Sequence, residues 1–231
     1  MPFTAVGERY RTVAAQLAAQ PKERDVTLLA VSKTFGLEAV EAAWAAGARC
    51  FGENYAQEGA QKCRAFRERH PDADVAWHFI GPLQSNKTRL VATHFDWVQS
   101  IDREKIARRL SEQRPADLAP LNVLIEVNAD EEEGKSGVRF EEIAALAAVI
   151  DSLPNLVLRG LMAIPEAQSE DGGRRAFRRM KAAFDELASR YPTVDTLSMG
   201  MSADWPTAVE EGSTLIRVGS AIFGARHYAT A

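Results

Sequence analysis

The sequence predicts an α/β fold: a single (β/α)8 barrel with an extra helix at its N-terminus, spanning residues 1–231 as one domain. Three observations predict it. Short apolar runs alternate strictly with segments of helical periodicity, eight such runs fit within 231 residues, and the polar and glycine-rich clusters gather just after the runs. An open doubly wound sheet is the alternative, since a short apolar run does not by itself distinguish the two.

The first element is a helix over Val6–Ala19. The apolar runs that read as strands follow at Val26–Val31, Ala48–Phe51, Val75–Ile80, Phe95–Gln99, Leu121–Val127, Leu156–Met162, Val194–Ser198 and Thr214–Val218. Between them, apolar residues three and four apart mark amphipathic helices at Leu37–Ala46, Ile106–Gln113, Phe140–Ile150 and Phe177–Arg190. No linker sets off a second domain.

Hydrophobic residues make up 46% and charged residues 26% of the chain, enough for a sizeable core and unlike a disordered segment. The formal net charge of −4 argues against a nucleic-acid module, which needs a basic face. The N-terminus lacks the apolar core of a signal peptide, and no run reaches the ~18 residues of a membrane span. Cys50 and Cys63 lack metal or disulfide spacing. A cytoplasmic protein without a metal is expected, the four histidines His70, His78, His94 and His227 being dispersed.

In a barrel of this kind chemistry gathers where strands end. Lys33 follows the first run at that rim. Its amine can be held where water is scarce and made nucleophilic, or it can simply snorkel to solvent. Ser198, Met199 and Gly200 lead from the seventh run toward a helix that Ser202 or Asp204 can cap, and Gly219-Ser220 turns into a helix after the eighth. Either loop alone is explained equally well by a tight turn; the pair together favours a phosphate cradle. Alternation puts Leu215 and Arg217 on one face of the eighth run, so Arg217 needs a partner there: a buried carboxylate, or a ligand's ring nitrogen or carboxylate. His78 is a core histidine or a catalytic one. Asn54 caps the following helix or bonds a ligand, capping being the simpler expectation. The acidic run before Gly134-Lys135 reads as a solvated loop.

Several stretches together resemble one family. They are Ala30-Val31-Ser32-Lys33-Thr34, Phe51-Gly52-Glu53-Asn54-Tyr55, Trp77-His78-Phe79-Ile80-Gly81, Leu83-Gln84, Asn86-Lys87, Gly160-Leu161-Met162, Leu197-Ser198-Met199-Gly200-Met201-Ser202, Arg217-Val218-Gly219 and Ile222-Phe223-Gly224-Ala225-Arg226. In this order they resemble the pyridoxal phosphate homeostasis protein family. The resemblance implies a barrel like the N-terminal domain of alanine racemase, with pyridoxal 5′-phosphate joined to Lys33 as a Schiff base. It implies phosphate binding by Ser198, Met199 and Gly200 and by Gly219 and Ser220, with Arg217 at the pyridine nitrogen and Asn54 and His78 lining the pocket. It also implies a part in vitamin B6 homeostasis rather than strong turnover. Apoenzymes that use the cofactor are the expected recipients, and a monomer the expected state. Gly36 stands where relatives commonly carry proline, and Pro206 is tolerable if its helix begins near Asp204.

An arginine at the ring nitrogen favours its neutral form and weakens the electron sink. Racemisation needs a proton donor on each face of the substrate carbon, and Lys33 serves one. A small amino-acid racemase is the first rival to a carrier, and a Schiff-base aldolase holding a sugar phosphate the second.

Overall fold

The computed structural model describes residues 4–132, 134–165 and 173–225; Glu133, Arg226 and His227 lie outside them. Helix α1 (Thr4–Ala19) precedes a closed barrel of eight strands, β1 (Thr27–Val31), β2 (Cys50–Glu53), β3 (Ala76–Phe79), β4 (Trp97–Ile101), β5 (Leu121–Glu126), β6 (Leu156–Met162), β7 (Thr196–Met201) and β8 (Leu215–Val218). Each strand pairs in parallel with the next, and β8 closes on β1 with Leu29 opposite Arg217. The helices after the strands are α2 (Leu37–Ala45), α3 (Ala56–Arg69), α4 (Thr88–His94), α5 (Glu104–Gln113), α6 (Ile143–Asp151), α7 (Arg174–Arg190), α8 (Trp205–Glu210) and the single turn α9 (Ser220–Phe223). Parallel strands need such crossovers, and the helices then cover the barrel's outer face. The barrel is therefore the form the alternation takes, not the open sheet.

Alternation sorts each strand into two faces. Leu28 and Ala30, Trp77 and Phe79, Leu197 and Met199, and Ile216 and Val218 face outward into the main core beneath the helices, around Phe51, Phe66 and Phe95. Leu29, Val31, Ile80 and Leu215 form a separate apolar cluster, as inward-facing positions should. Each fully buried Leu or Phe contributes about 1.5–3 kcal/mol of transfer free energy, so both faces of the wall are anchored.

Three strands run further toward the rim than their apolar runs suggest. β2 includes Gly52 and Glu53, β4 reaches Ile101, and β7 reaches Met201. Gly200 shows why β7 does so. It has φ 94°, and a Cβ there would lie 2.6 Å from the Ala208 methyl, so its lack of a side chain lets β7 pack against α8. The segment expected as one helix over Phe140–Ile150 opens with a 3-10 turn, Phe140–Glu142, before α6. Pro206 falls in the first turn of α8, where a missing N–H costs nothing. Among the described residues, no helix is long and apolar enough to cross a membrane.

Candidate functional site

A cavity of about 340 Å³ opens at the C-terminal mouth of the barrel. Lys33, Asn54, Arg217, Gly219 and Ser220 line it, together with Phe35, Ile80, Ile164 and the stretch Met201-Ser202-Ala203. Lys33 enters from the end of β1 and is half-buried. A second cavity of about 270 Å³ shares Asn54, Ile80 and Ile164 with the first and adds Glu126, Asn128, Lys135 and Ser136.

The loop after β7 differs from its expected use. Ser198, Met199 and Gly200 are strand residues set back from the cavity, whose wall on this side begins at Met201. The Ser198 side chain turns into the barrel, Met199 packs in the outer core and Gly200 packs on α8. Asp204 stands at the start of α8, yet its carboxylate bonds backward: Oδ1 accepts from the Met201 amide at 2.6 Å and caps no helix amide. On this side the cavity is lined by Met201, Ser202 and Ala203. On the neighbouring strand β8, Gly219 leads into α9, whose first amides, at Ser220 and Ala221, have no intrahelical acceptor.

Asn54 does not cap α3. That helix begins at Ala56 after Tyr55, with no side-chain cap, while Asn54 faces both cavities and its Oδ1 is buried without a hydrogen-bond partner. Gly81 permits this placement, because a Cβ there would lie 2.1 Å from the Asn54 carbonyl oxygen.

Arg217 is 4% exposed and faces inward as alternation predicts. Nη1 donates to Ser198 Oγ at 2.6 Å and Nη2 to the Ala163 carbonyl at 2.8 Å. Burial pushes its pKa down to about 10, against the pull of Asp204 and Glu126, so it stays charged at neutral pH. Among the described residues it forms no ion pair; the buried-carboxylate reading of its partner does not hold. His78 is 2% exposed, stacked on Trp97 with ring centroids 5.0 Å apart, and its Nδ1 lies 3.0 Å from Gln99 Nε2. It lies beneath the cavity rather than on its wall, and burial pushes its pKa down to about 3, keeping it neutral. Gln99, missed in the sequence, joins His78 to Ser198 through its Oε1, 2.6 Å from Ser198 Oγ. A polar residue at an inward position of β4 is the signal that marks it.

Glu126 faces the second cavity. Burial pushes its pKa up to about 7, Asp102 adds to the rise and Arg217 opposes it. The loop beyond it is structured rather than merely solvated: Asn128 brackets Glu132 with two hydrogen bonds, and Lys135 pairs with Glu132 at 2.7 Å and Asp130 at 3.3 Å. Among the described residues, no cluster of His, Cys, Asp or Glu suits a metal. An amine, a guanidinium, hydroxyls, free amides and an unpartnered amide oxygen thus converge on one small chamber. That set suits a small anionic ligand with an electrophilic carbon.

The family model for the alanine racemase N-terminal domain matches residues 4–227. The pyridoxal phosphate homeostasis protein of Vibrio cholerae is 57% identical over 204 residues, covering 88% of this chain and 86% of that protein. Its namesake from Escherichia coli K12 is 52% identical over 224 residues, covering 96% and 94%. Among solved structures, PipY of Synechococcus elongatus with PLP bound superposes with a TM-score of 0.82 at 34% identity, covering 95% of this chain and all of that one. The alanine racemase of Clostridium difficile superposes at 0.74 with 14% identity, over 96% of this chain and 57% of that one, a likeness of fold alone. Sequence identity across nearly the whole length, on a barrel of the same form, makes the chain a member of the pyridoxal phosphate homeostasis protein family.

Proposed function

We propose that the chain acts as one cofactor-binding barrel domain that holds pyridoxal 5′-phosphate as a Schiff base on Lys33 and buffers or delivers it, with no strong turnover of its own. The observation that carries this reading is the convergence of Lys33 and Arg217 on one cavity whose rim holds Ser202, Gly219 and Ser220. Attachment joins the Lys33 amine to the cofactor's aldehyde carbon: a C=N bond forms and the carbonyl oxygen leaves as water. The residues fit the group. The amine sits at the end of β1, the Gly219-Ser220 turn beside it on β8 and the Ser202-Ala203 turn beyond β7 offer amides and hydroxyls to a phosphate, and the unpartnered Asn54 Oδ1 is an acceptor in need of a donor. The names of the Vibrio and Escherichia relatives, and the PLP bound in the PipY structure, support the same reading.

When bound, pyridoxal phosphate supplies an electron sink whose strength depends on a protonated ring nitrogen. Arg217 presents only donors and a positive charge, and such a neighbour disfavours that protonation. Holding is thereby favoured over amino-acid chemistry. On this reading the protein works in the cytoplasm as a monomer and passes its cargo to apoenzymes that use it; Cys50 and Cys63, both free thiols, suit that reducing compartment.

The test is a visible absorption spectrum with and without added pyridoxal phosphate, on the wild type and Lys33→Ala, followed by borohydride reduction and peptide mapping. A lysine-dependent band and a tagged Lys33 peptide are expected. The same band in the variant overturns the attachment site, and sustained D/L interconversion of an amino acid by the wild type overturns the carrier reading.

A further inference from the structure

The residues flanking Lys33 are gripped from behind the barrel wall. Alternation turns Lys33 inward, while Ser32 before it and Glu53 at the end of β2 lie against α3. Ser32 Oγ donates to Glu53 Oε1 at 2.5 Å, and Lys62 of α3 donates to the same oxygen at 2.6 Å and to the Ser32 carbonyl at 2.9 Å. Lys62 also reaches Glu58 Oε1 at 3.1 Å, and that oxygen accepts from the Thr34 backbone amide at 2.6 Å. The residues on either side of Lys33 are thus tied to one ammonium group, one directly and the other through Glu58.

Thr34 gives this arrangement its purpose. Its φ is 70°, in the left-handed region, where a β-branched residue persists only if its surroundings hold it. Glu53 is fully buried and Lys62 nearly so, and a buried ion pair is a poor source of net stability. Its place against the one strained turn that follows the lysine points to orientation. We propose that Glu58, itself held by Lys62, is a positioning residue: by accepting the Thr34 amide it keeps the turn left-handed and so directs the Lys33 side chain into the cavity. This rests on the reading of Lys33 as the attachment lysine.

Glu58 has a side chain 34% exposed, and Lys62 retains Glu53 when it is removed, so Glu58→Ala should fold. Glu58→Gln keeps an oxygen acceptor for the amide. In the ligand-free protein, hydrogen exchange at the Thr34 amide is expected to speed by about tenfold in Glu58→Ala, the size of one lost hydrogen bond to a charged acceptor. The rate of band formation with pyridoxal phosphate is expected to fall by a similar factor. Glu58→Gln should restore both to within about twofold of wild type.

The proposal is overturned if Glu58→Ala matches wild type in both measurements, or if exchange and band formation do not change together. Borohydride tagging of the wild type separates the two ideas. A tagged Lys33 with unchanged variants sinks the positioning role alone, whereas an untagged Lys33 sinks the attachment reading and this inference with it.

Discussion

Arg217 Nη1 lies 2.6 Å from the hydroxyl oxygen of Ser198, and that hydroxyl lies 2.6 Å from Gln99 Oε1. An arginine only donates, so Ser198 must accept from it and give its own hydrogen to Gln99. The Gln99 carbonyl is thereby oriented, its NH2 faces His78 Nδ1, and the imidazole carries its hydrogen on Nε2. One guanidinium thus sets the polarity of a chain crossing the barrel from β8 through β7 and β4 to β3. Ser198→Ala removes the single group that both accepts and donates, leaving Arg217 and Gln99 each short of a partner. A loss of about 1–3 kcal/mol in unfolding free energy is expected, read from urea denaturation. A loss below half a kcal/mol would mean that the chain is not a connected network.

Two buried groups act on stability in opposite senses as pH changes. His78 titrates at about 3 in the fold against 6.5 ordinarily, so between those values the unfolded chain binds the extra proton and stability rises with pH. Glu126 titrates at about 7 against 4.5, so there the folded chain binds the extra proton. Its contribution is complete below 4.5 and is lost as pH rises through 7. The two slopes nearly cancel between 4.5 and 6.5. Glu126→Gln leaves His78 alone. The stability difference, wild type minus variant, is expected to fall with rising pH by up to about 1.4 kcal/mol per unit across that window. Denaturation curves at four pH values check it, and a flat difference refutes the titration of Glu126.

What the sequence made legible was whatever a strand's own alternation decides. Arg217 shares an inward face with Leu215 because their spacing is two, and no tertiary knowledge is needed for that. The end of a strand is less legible, because it depends on a neighbour. β7 continues to Met201 through Gly200, whose packing on Ala208 is a contact with α8, and so the cavity wall falls at Met201–Ala203 rather than at Ser198–Gly200. Gln99 was hidden for a similar reason. Its partner Ser198 lies 99 residues away, brought near only by closure of the barrel. The Glu53–Lys62 pair needs the rotation of α3 about its axis, which the apolar pattern of that helix constrains only loosely.

Asn54 illustrates the same limit and yields the sharpest test of the cavity. Locally it reads as a helix cap, yet the approach of Gly81 to its backbone turns its side chain toward the cavity instead, with Oδ1 buried and unpaired. A buried acceptor without a donor costs about 1–3 kcal/mol in the free protein. Asn54→Ala removes that cost together with a few packing contacts, so the melting temperature of the ligand-free protein is expected to stay level or rise. If the amide is reserved for a ligand, the same variant should bind pyridoxal phosphate about tenfold more weakly, the worth of one hydrogen bond. The two measurements must diverge. An Asn54→Ala protein that melts several degrees lower and binds the cofactor as tightly as wild type would show that this side chain supports the fold and does not serve the cavity.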